Sequence, residues 1–323
     1  MKTVAIVGAG MAGLSCAATL KEAGASVTLF DKSRGPGGRM STRRSGHRRY
    51  DHGAQYFTAR DPEFQAQVAQ WVADGLVAPW DGRLATLRHG QQTPHHAEHP
   101  RYVGVPRMSA LTRHIAAPLG TLHTSVRVTS IAADGRIQDA DGADLGTFDV
   151  AVVATPAAQA VPLLAAAPAL AEAAEAAMMA PCLAAMVTVE PAIPIPIDGA
   201  WVQDSPLAWI ARNASKPGRP DGDSWVLHAT HAWSVANLER SKEDVAAMLW
   251  EALGAALGGR TGTPVELVGH RWRYAFPEGP YPTEPLFEAK TGIGACGDWC
   301  VGPRVEAAWL SGRRLARAII AGT

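Results

Sequence analysis

The stretch TVAIVGAGMAGLSCAATLKEAGASVTLFDK, Thr3 to Lys32, restricts the fold more than any other part of this 323-residue chain. Val4 to Val7 is a short apolar run of the kind that forms a parallel strand buried on both faces. Gly8, Gly10 and Gly13 follow as GxGxxG. The first glycine permits a tight turn, the second lets the backbone approach a diphosphate, and the third lets the next helix pack on the strand. Met11 to Ala23 reads as that helix. Its amino end, with Met11 and Ala12, points amides and a positive dipole at phosphate. Val27 to Phe30 reads as a second strand. Asp31 stands 23 residues after Gly8, where a carboxylate accepts hydrogen bonds from a ribose. The unit binds a dinucleotide. The charge of Asp31 disfavours a 2′-phosphate in this site, so FAD and NAD remain.

A second loop discriminates between them. SRGPGGRMSTRR, Ser33 to Arg44, places two adjacent glycines between Arg34 and Arg39. Gly37 and Gly38 allow positive φ and close backbone approach, and an arginine fork suits phosphate. The segment RGPGGRM resembles the R-x-x-G-G-R loop of the flavoprotein superfamily that includes amine oxidases and phytoene desaturases. The resemblance implies that this loop, with Lys32, Arg34, Gly38, Arg39 and Met40, closes over the FAD diphosphate and ribityl chain. GIGACGDWCVGPRVEAAWLSGRRLARAI reads as a short strand ending at Gly297 and Asp298, a loop, and a helix from about Val305. By the same resemblance, Asp298 meets the ribityl hydroxyls. The helix start, with Arg304, Val305 and Glu306, meets the pyrimidine edge of the flavin, where its dipole stabilises negative charge. Glu306 equally suits a capping role. DVAVVATPAAQA resembles the superfamily's returning strand. TSVRVTSIAADG resembles the strand before it, whose backbone near Val128 touches adenine. The cofactor expected is FAD, held without a covalent link, because no cysteine lies between Val265 and Ala295.

The blocks DKSRGPGGRMSTRR, DHGAQYFTARD and GDWC together resemble the renalase family, particularly its bacterial members. Membership implies oxidation of 2- or 6-dihydro isomers of NAD(P)H to NAD(P)+, with O2 reduced to hydrogen peroxide. Gln55, Tyr56 and Phe57 are then placed near the flavin. Amine oxidation is the rival reading, and a non-catalytic flavin-bound interaction or sensor protein is a third. Amine oxidases of the superfamily commonly carry a lysine that holds water beside the reactive ring nitrogen. Here Lys216 lies in a Pro/Gly loop and Lys290 shortly before Gly297, and neither matches that place clearly. A dihydropyridine needs no base, since it gives up hydride and becomes aromatic.

The remaining features bound the partners. Thirty basic and thirty acidic residues balance, which argues against a general nucleic-acid or anionic-membrane binder. The most apolar region, Ala151 to Val189, is broken by prolines and glutamates, so no membrane span is expected. Four cysteines without a CxxC pair, and no signal peptide, point to reduced thiols in the cytoplasm. His89, His95, His96 and His99 cluster in HGQQTPHHAEH, read as an exposed polar loop; no metal is expected. Asp61 caps a helix to Asp74 with Pro62 at its first position, and Ser241 to Leu257 is a second helix. SWVLHATHAW alternates, with Trp225, Leu227, Ala229 and His231 on one face and His228 on the other. VGHRWRYAF sets His270, Trp272 and Tyr274 opposite Arg271 and Arg273. A pocket for a nicotinamide nucleotide wants aromatic walls and cations, so Tyr56, Trp225, His228, His231, Arg271 and Trp272 are the candidates. The expected fold is mixed α/β. A Rossmann-type FAD-binding domain is discontinuous over 1–60, 101–160 and 286–323. A substrate domain of mixed sheet and helices takes 61–100 and 161–285.

Overall fold

The computed structural model describes residues 1–46, 48–95 and 98–322. These divide into two units, each assembled from separated stretches: 1–40, 111–179 and 276 onward, then 41–110 and 180–275. The segment 41–60, expected with the nucleotide fingerprint, clusters with the second unit instead.

The first unit is built on a six-stranded sheet in the order Leu286–Glu288, Ile293–Ala295, Val150–Val153, Thr3–Val7, Ser26–Asp31, Thr121–Thr124. All neighbours are parallel except the Leu286–Glu288 edge. Strand alternation divides the core between two faces. Val4, Ile6, Leu29, Val150 and Val152 join one cluster, with helices Met11–Glu22 and Val305–Ala321. Ala5, Val7, Phe30, Ala151 and Val153 join the other, with Leu164 and Leu170 of the Val161–Leu164 and Pro168–Ala176 helical segments. Full burial of each large aliphatic side chain contributes about 1.5–3 kcal/mol. That is why Val4 to Val7 is apolar throughout rather than alternating. The two helices touch where Ser15 Oγ donates to the Trp309 carbonyl at 2.7 Å. Strands Val128–Ile131, Arg136–Asp139 and Asp144–Thr147 form a small antiparallel sheet just ahead of Val150.

The second unit is organised by a seven-stranded sheet in the order Thr263–Glu278, Met178–Glu190, Asp223–Ala229, Leu207–Arg212, Gly199–Val202, Leu84–Arg88, Gln91–Pro94. Helix Lys242–Ala256, capped by Ser241 Oγ on the Asp244 amide, covers one face. Trp225, Leu227, Leu207 and Ile210 point into that face with Val245, Leu249 and Leu253. Helix Pro62–Ala73 starts as its sequence predicts, with Asp61 Oδ1 accepting from the Glu63 and Phe64 amides. The alternation read through His231 stops earlier. The strand ends at Ala229, Thr230 Oγ1 caps the Trp233 amide, and His231 opens helix His231–Ala236. A threonine at that point competes for the backbone and ends the ladder. Among the described residues, no helix is long and apolar enough to cross a membrane.

Candidate functional site

In the first unit the two glycine loops are in direct contact. The Gly37 amide donates to the Ala9 carbonyl at 2.9 Å. Gly38 has φ +52°, and a Cβ there would lie 3.4 Å from Gly10 Cα. Gly13 is packed against the turn before it, since an added Cβ would stand 2.0 Å from the Gly8 carbonyl oxygen. Asp31 is buried and holds this corner together: Oδ2 accepts from the Ala9 amide and Oδ1 from the Ser33 amide, both at 2.7 Å. Each carboxylate oxygen has a further lone pair for a ribose hydroxyl. Ser125 and Val126 amides bond Ser33 and Asp31 carbonyls, which sets the chain leading to Val128 beside this corner.

Arg39 and Asp298 are joined by a two-pronged ion pair, at 2.7 and 2.6 Å. Asp298 is buried, the Gly302 amide donates to its carbonyl at 2.6 Å, and the Gly297 amide is held by Ser311 Oγ. Arg304, exposed, stands just before helix Val305–Ala321 without a side-chain capping bond, and its Nε lies 3.6 Å from the buried Glu306 carboxylate. Lys32 Nζ donates to Gln159, and burial followed by the nearby Arg127 charge lowers its pKa against the opposing pull of Asp31. Arg34 is exposed and Met40 buried.

These residues fit a flavin dinucleotide. Gly10 has open space where a side chain would be, and the amino end of helix Met11–Glu22 carries no side-chain cap. The buried Thr155 Oγ1, one residue beyond Ala154 at the mouth of the fingerprint turn, has no hydrogen-bond partner. An orphaned hydroxyl, uncapped amides and bare glycine backbone form a cradle for phosphate and hydroxyl groups. Cys296 and Cys300 are held protonated: the Cys16 thiol and then burial raise the first, and burial raises the second.

The second unit gathers its polar and aromatic chemistry on the sheet face opposite helix Lys242–Ala256. Strand register puts His228, Trp209 and Trp201 in one row. His52 and Trp272 lie at this end of the sheet. The His52 carbonyl accepts from both His228 Nε2 and Trp272 Nε1 at 3.0 Å, which makes Nε2 the protonated nitrogen of His228. His270 packs edge-on to His52 with centroids 4.5 Å apart. Burial, before any charge effect, pushes His52 down to about 3 and His228 and His270 to about 4, so all three are neutral imidazoles near pH 7. His52 Nδ1 is buried without a partner.

Beside them lies a buried charge cluster. Asp51 accepts from Arg219 through two donors, from Thr42 Oγ1 at 2.8 Å and from the Met108 amide at 3.1 Å. Burial raises its pKa, but Arg219 and Lys216 outweigh that and hold it below the usual carboxylate range. Lys216 Nζ donates to Gln55 Oε1 at 3.1 Å, lies 4.0 Å from Asp51, and sits over the Trp80 ring. Burial pulls its pKa down to about 7.

The six substrate candidates separate. Tyr56 packs against Trp80 and Trp209, and His228 and Trp272 share the His52 carbonyl. Trp225 is fully buried on the helix face, donating to Asp223. Arg271 bonds the Arg240 carbonyl and approaches Glu239, and His231 is exposed. Gln55 and Phe57 lie in the second unit, Phe57 bridging to Tyr102. Of the histidine loop, His95 packs against Trp201 with the rings tilted, His89 Nε2 lies 3.4 Å from Asp204 Oδ2, and His96 lies outside the described residues. The sequence reading passed over His52, Trp80, Arg101, Trp201, Trp209 and Arg219, although DHGAQYFT already held His52.

The model of the family "Flavin containing amine oxidoreductase" matches residues 81–320, and that of an NAD(P)-binding Rossmann-like domain matches residues 6–71. The chain belongs to the flavin-containing amine oxidoreductase family. FAD is its cofactor. The fold of this amine oxidoreductase matches a candidate protoporphyrinogen oxidase of Exiguobacterium sp. 255-15 with TM-score 0.79 at 14% identity, covering 100% of this chain and 99% of that one. It matches a putrescine oxidase from a cofactor-binding redesign with TM-score 0.76 at 13% identity, with the same coverage. A reduced UDP-galactopyranose mutase gives 0.75 at 12%, over 99% of this chain and 94% of that one. In sequence, the bifunctional tRNA 5-methylaminomethyl-2-thiouridine biosynthesis protein MnmC of Magnetococcus marinus is 29% identical over 162 residues, 42% of this chain. The match spans only 24% of that relative's length.

Proposed function

We propose that this amine oxidoreductase is an oxidase of renalase type, taking isomeric 2- or 6-dihydro forms of NAD(P)H to NAD(P)+. The first unit is its FAD-binding domain and the second its substrate domain, acting in the cytoplasm. Gly8, Gly10, Gly13, Asp31, Gly38, Arg39 and Asp298 hold FAD without a covalent link. Held there, FAD would supply two-electron acceptor chemistry for a hydride, with O2 and one proton giving hydrogen peroxide as the reduced product. The observation that carries the reading is the sheet face of the second unit. It offers aromatic walls and three neutral imidazoles, and its carboxylate, Asp51, is tied to Arg219. A dihydropyridine loses hydride and becomes an aromatic pyridinium with no proton to remove. Such a substrate asks the protein for orientation and exclusion rather than for a base. The pairing of DHGAQYFT with GDWC in one chain supports the same reading.

Amine oxidation is the second reading, favoured by Lys216. Burial lowers its amine pKa to about 7, so in mild base the amine is neutral and can accept a proton, while it donates to Gln55 Oε1 at 3.1 Å. Anaerobic mixing separates the two. Aged NADH, which contains ring isomers, bleaches the flavin absorbance rapidly and partially, whereas fresh NADH and a panel of amines do not. A rapid bleach by an amine alone overturns the proposal in favour of amine oxidation.

A further inference from the structure

Arg101 is a cation provided with rings and no anion. Its guanidinium carbon lies 5.3 Å from the Tyr56 ring centroid and 5.5 Å from that of Trp201. Its main chain is anchored, the carbonyl accepting from the Trp80 amide at 2.8 Å. Among the described residues it has no carboxylate partner, unlike Arg39, Arg83, Arg212 and Arg219. Aromatic faces hold a guanidinium through its own face and leave the N–H donors at its edge for a ligand. The neighbourhood also holds a buried donor without an acceptor. Trp209, whose ring is 4.7 Å from Trp201 and 5.6 Å from Tyr56, buries its Nε1 with no hydrogen-bond partner. A half-buried cation without a carboxylate and a buried indole N–H without an acceptor, on one aromatic platform, ask for an anionic acceptor, and the buried carboxylate of this unit, Asp51, is already taken by Arg219 and Thr42.

We infer that Arg101, carried on Tyr56 and Trp201, is the subsite that takes a phosphate of the substrate. The inference rests on the nucleotide reading above and adds to it the part of the substrate recognised and the residue that recognises it. A planar fork matches two phosphate oxygens. The rings beside it offer a stacking surface for a base or nicotinamide ring.

The test compares the FAD-loaded wild type with Arg101→Gln and Arg101→Lys, using dihydro isomers of the dinucleotide, the mononucleotide and the unphosphorylated riboside. For Arg101→Gln, KM for the dinucleotide isomers rises roughly ten- to a hundredfold, the loss expected for a hydrogen bond to a charged group. kcat stays within about twofold, and kinetics with the riboside are unchanged. Arg101→Lys recovers part of the loss, because the charge returns without the fork. A loss shared by NAD and NADP isomers assigns the diphosphate, and a loss confined to NADP isomers assigns the 2′-phosphate. Equal loss with the riboside overturns the inference and leaves the nucleotide reading standing. If the wild type oxidises no nicotinamide isomer, that reading falls. Titration with inorganic pyrophosphate, followed by tryptophan fluorescence, then decides the subsite alone: binding lost in Arg101→Gln supports it, and binding unchanged overturns it.

Discussion

Arg39 Nη1 and Nη2 bond Asp298 Oδ2 and Oδ1 at 2.7 and 2.6 Å, tying the glycine loop to a turn 259 residues later in the chain. The sequence reading gave each residue a separate duty toward FAD. Their pairing means that each positions the other. The pair is partly screened on the arginine side, with 30% of that side chain exposed against 8% for the aspartate.

Removing either partner therefore costs more than its own contacts. Asp298→Ala is expected to lower stability by about 1.5–3 kcal/mol and to shed FAD on dialysis. Arg39→Ala should do the same, and the double variant should lose less than the two singles combined. Thermal unfolding and the flavin-to-protein absorbance ratio measure both. Strict additivity would show that the pair is not coupled.

Gly13→Ala brings a Cβ to 2.0 Å from the Gly8 carbonyl. Backbone has to move, at a cost of about 1–3 kcal/mol or more, and the displaced turn is the fingerprint turn of the proposed FAD site. The expected outcome is a folded protein of lower Tm that purifies without yellow colour. A Tm and flavin content equal to wild type would contradict the packing described.

Lys216 gives the stability a slope in base. Burial lowers its folded pKa to about 7 from an ordinary 10.5, so between these values the unfolded chain holds a proton that the folded chain has released. Stability rises with pH across that window. Lys216→Met should flatten this part of the Tm profile. An unchanged slope would mean that the amine is not shielded from water.

The imidazoles give a second slope, in acid. His52, His228 and His270 have folded pKa values near 3 to 4 against 6.5 unfolded. As pH falls below 6.5 the unfolded chain takes up protons first, so stability drops until the folded histidines also titrate. His270→Phe keeps the ring packing on His52 and Trp272 and removes one titrating group. Its Tm should fall less steeply between pH 6.5 and 4, as calorimetry across that range would record.

Local patterns were legible wherever the signal was local. Pro62 behind Asp61, Ser241 ahead of Asp244, and GxGxxG between two apolar runs each satisfy backbone groups within a few residues, and each formed as read. The alternation through Trp225 runs two residues past the strand, because it continues in the letters to His231 while the strand ends at Ala229 and Thr230 turns the backbone into a helix.

The sequence by itself determined the nucleotide-binding half: strand, glycine turn, helix and acidic residue are contiguous, and their spacing alone requires one backbone geometry. Tertiary structure decided which side chains act together. His52 meets His228 and Trp272 across 176 and 220 positions, and Arg219 reaches Asp51 across 168. Nothing in a one-dimensional pattern marks such pairs. Only packing creates the low-dielectric interior in which a lysine is pushed toward neutrality and an unpaired donor becomes costly.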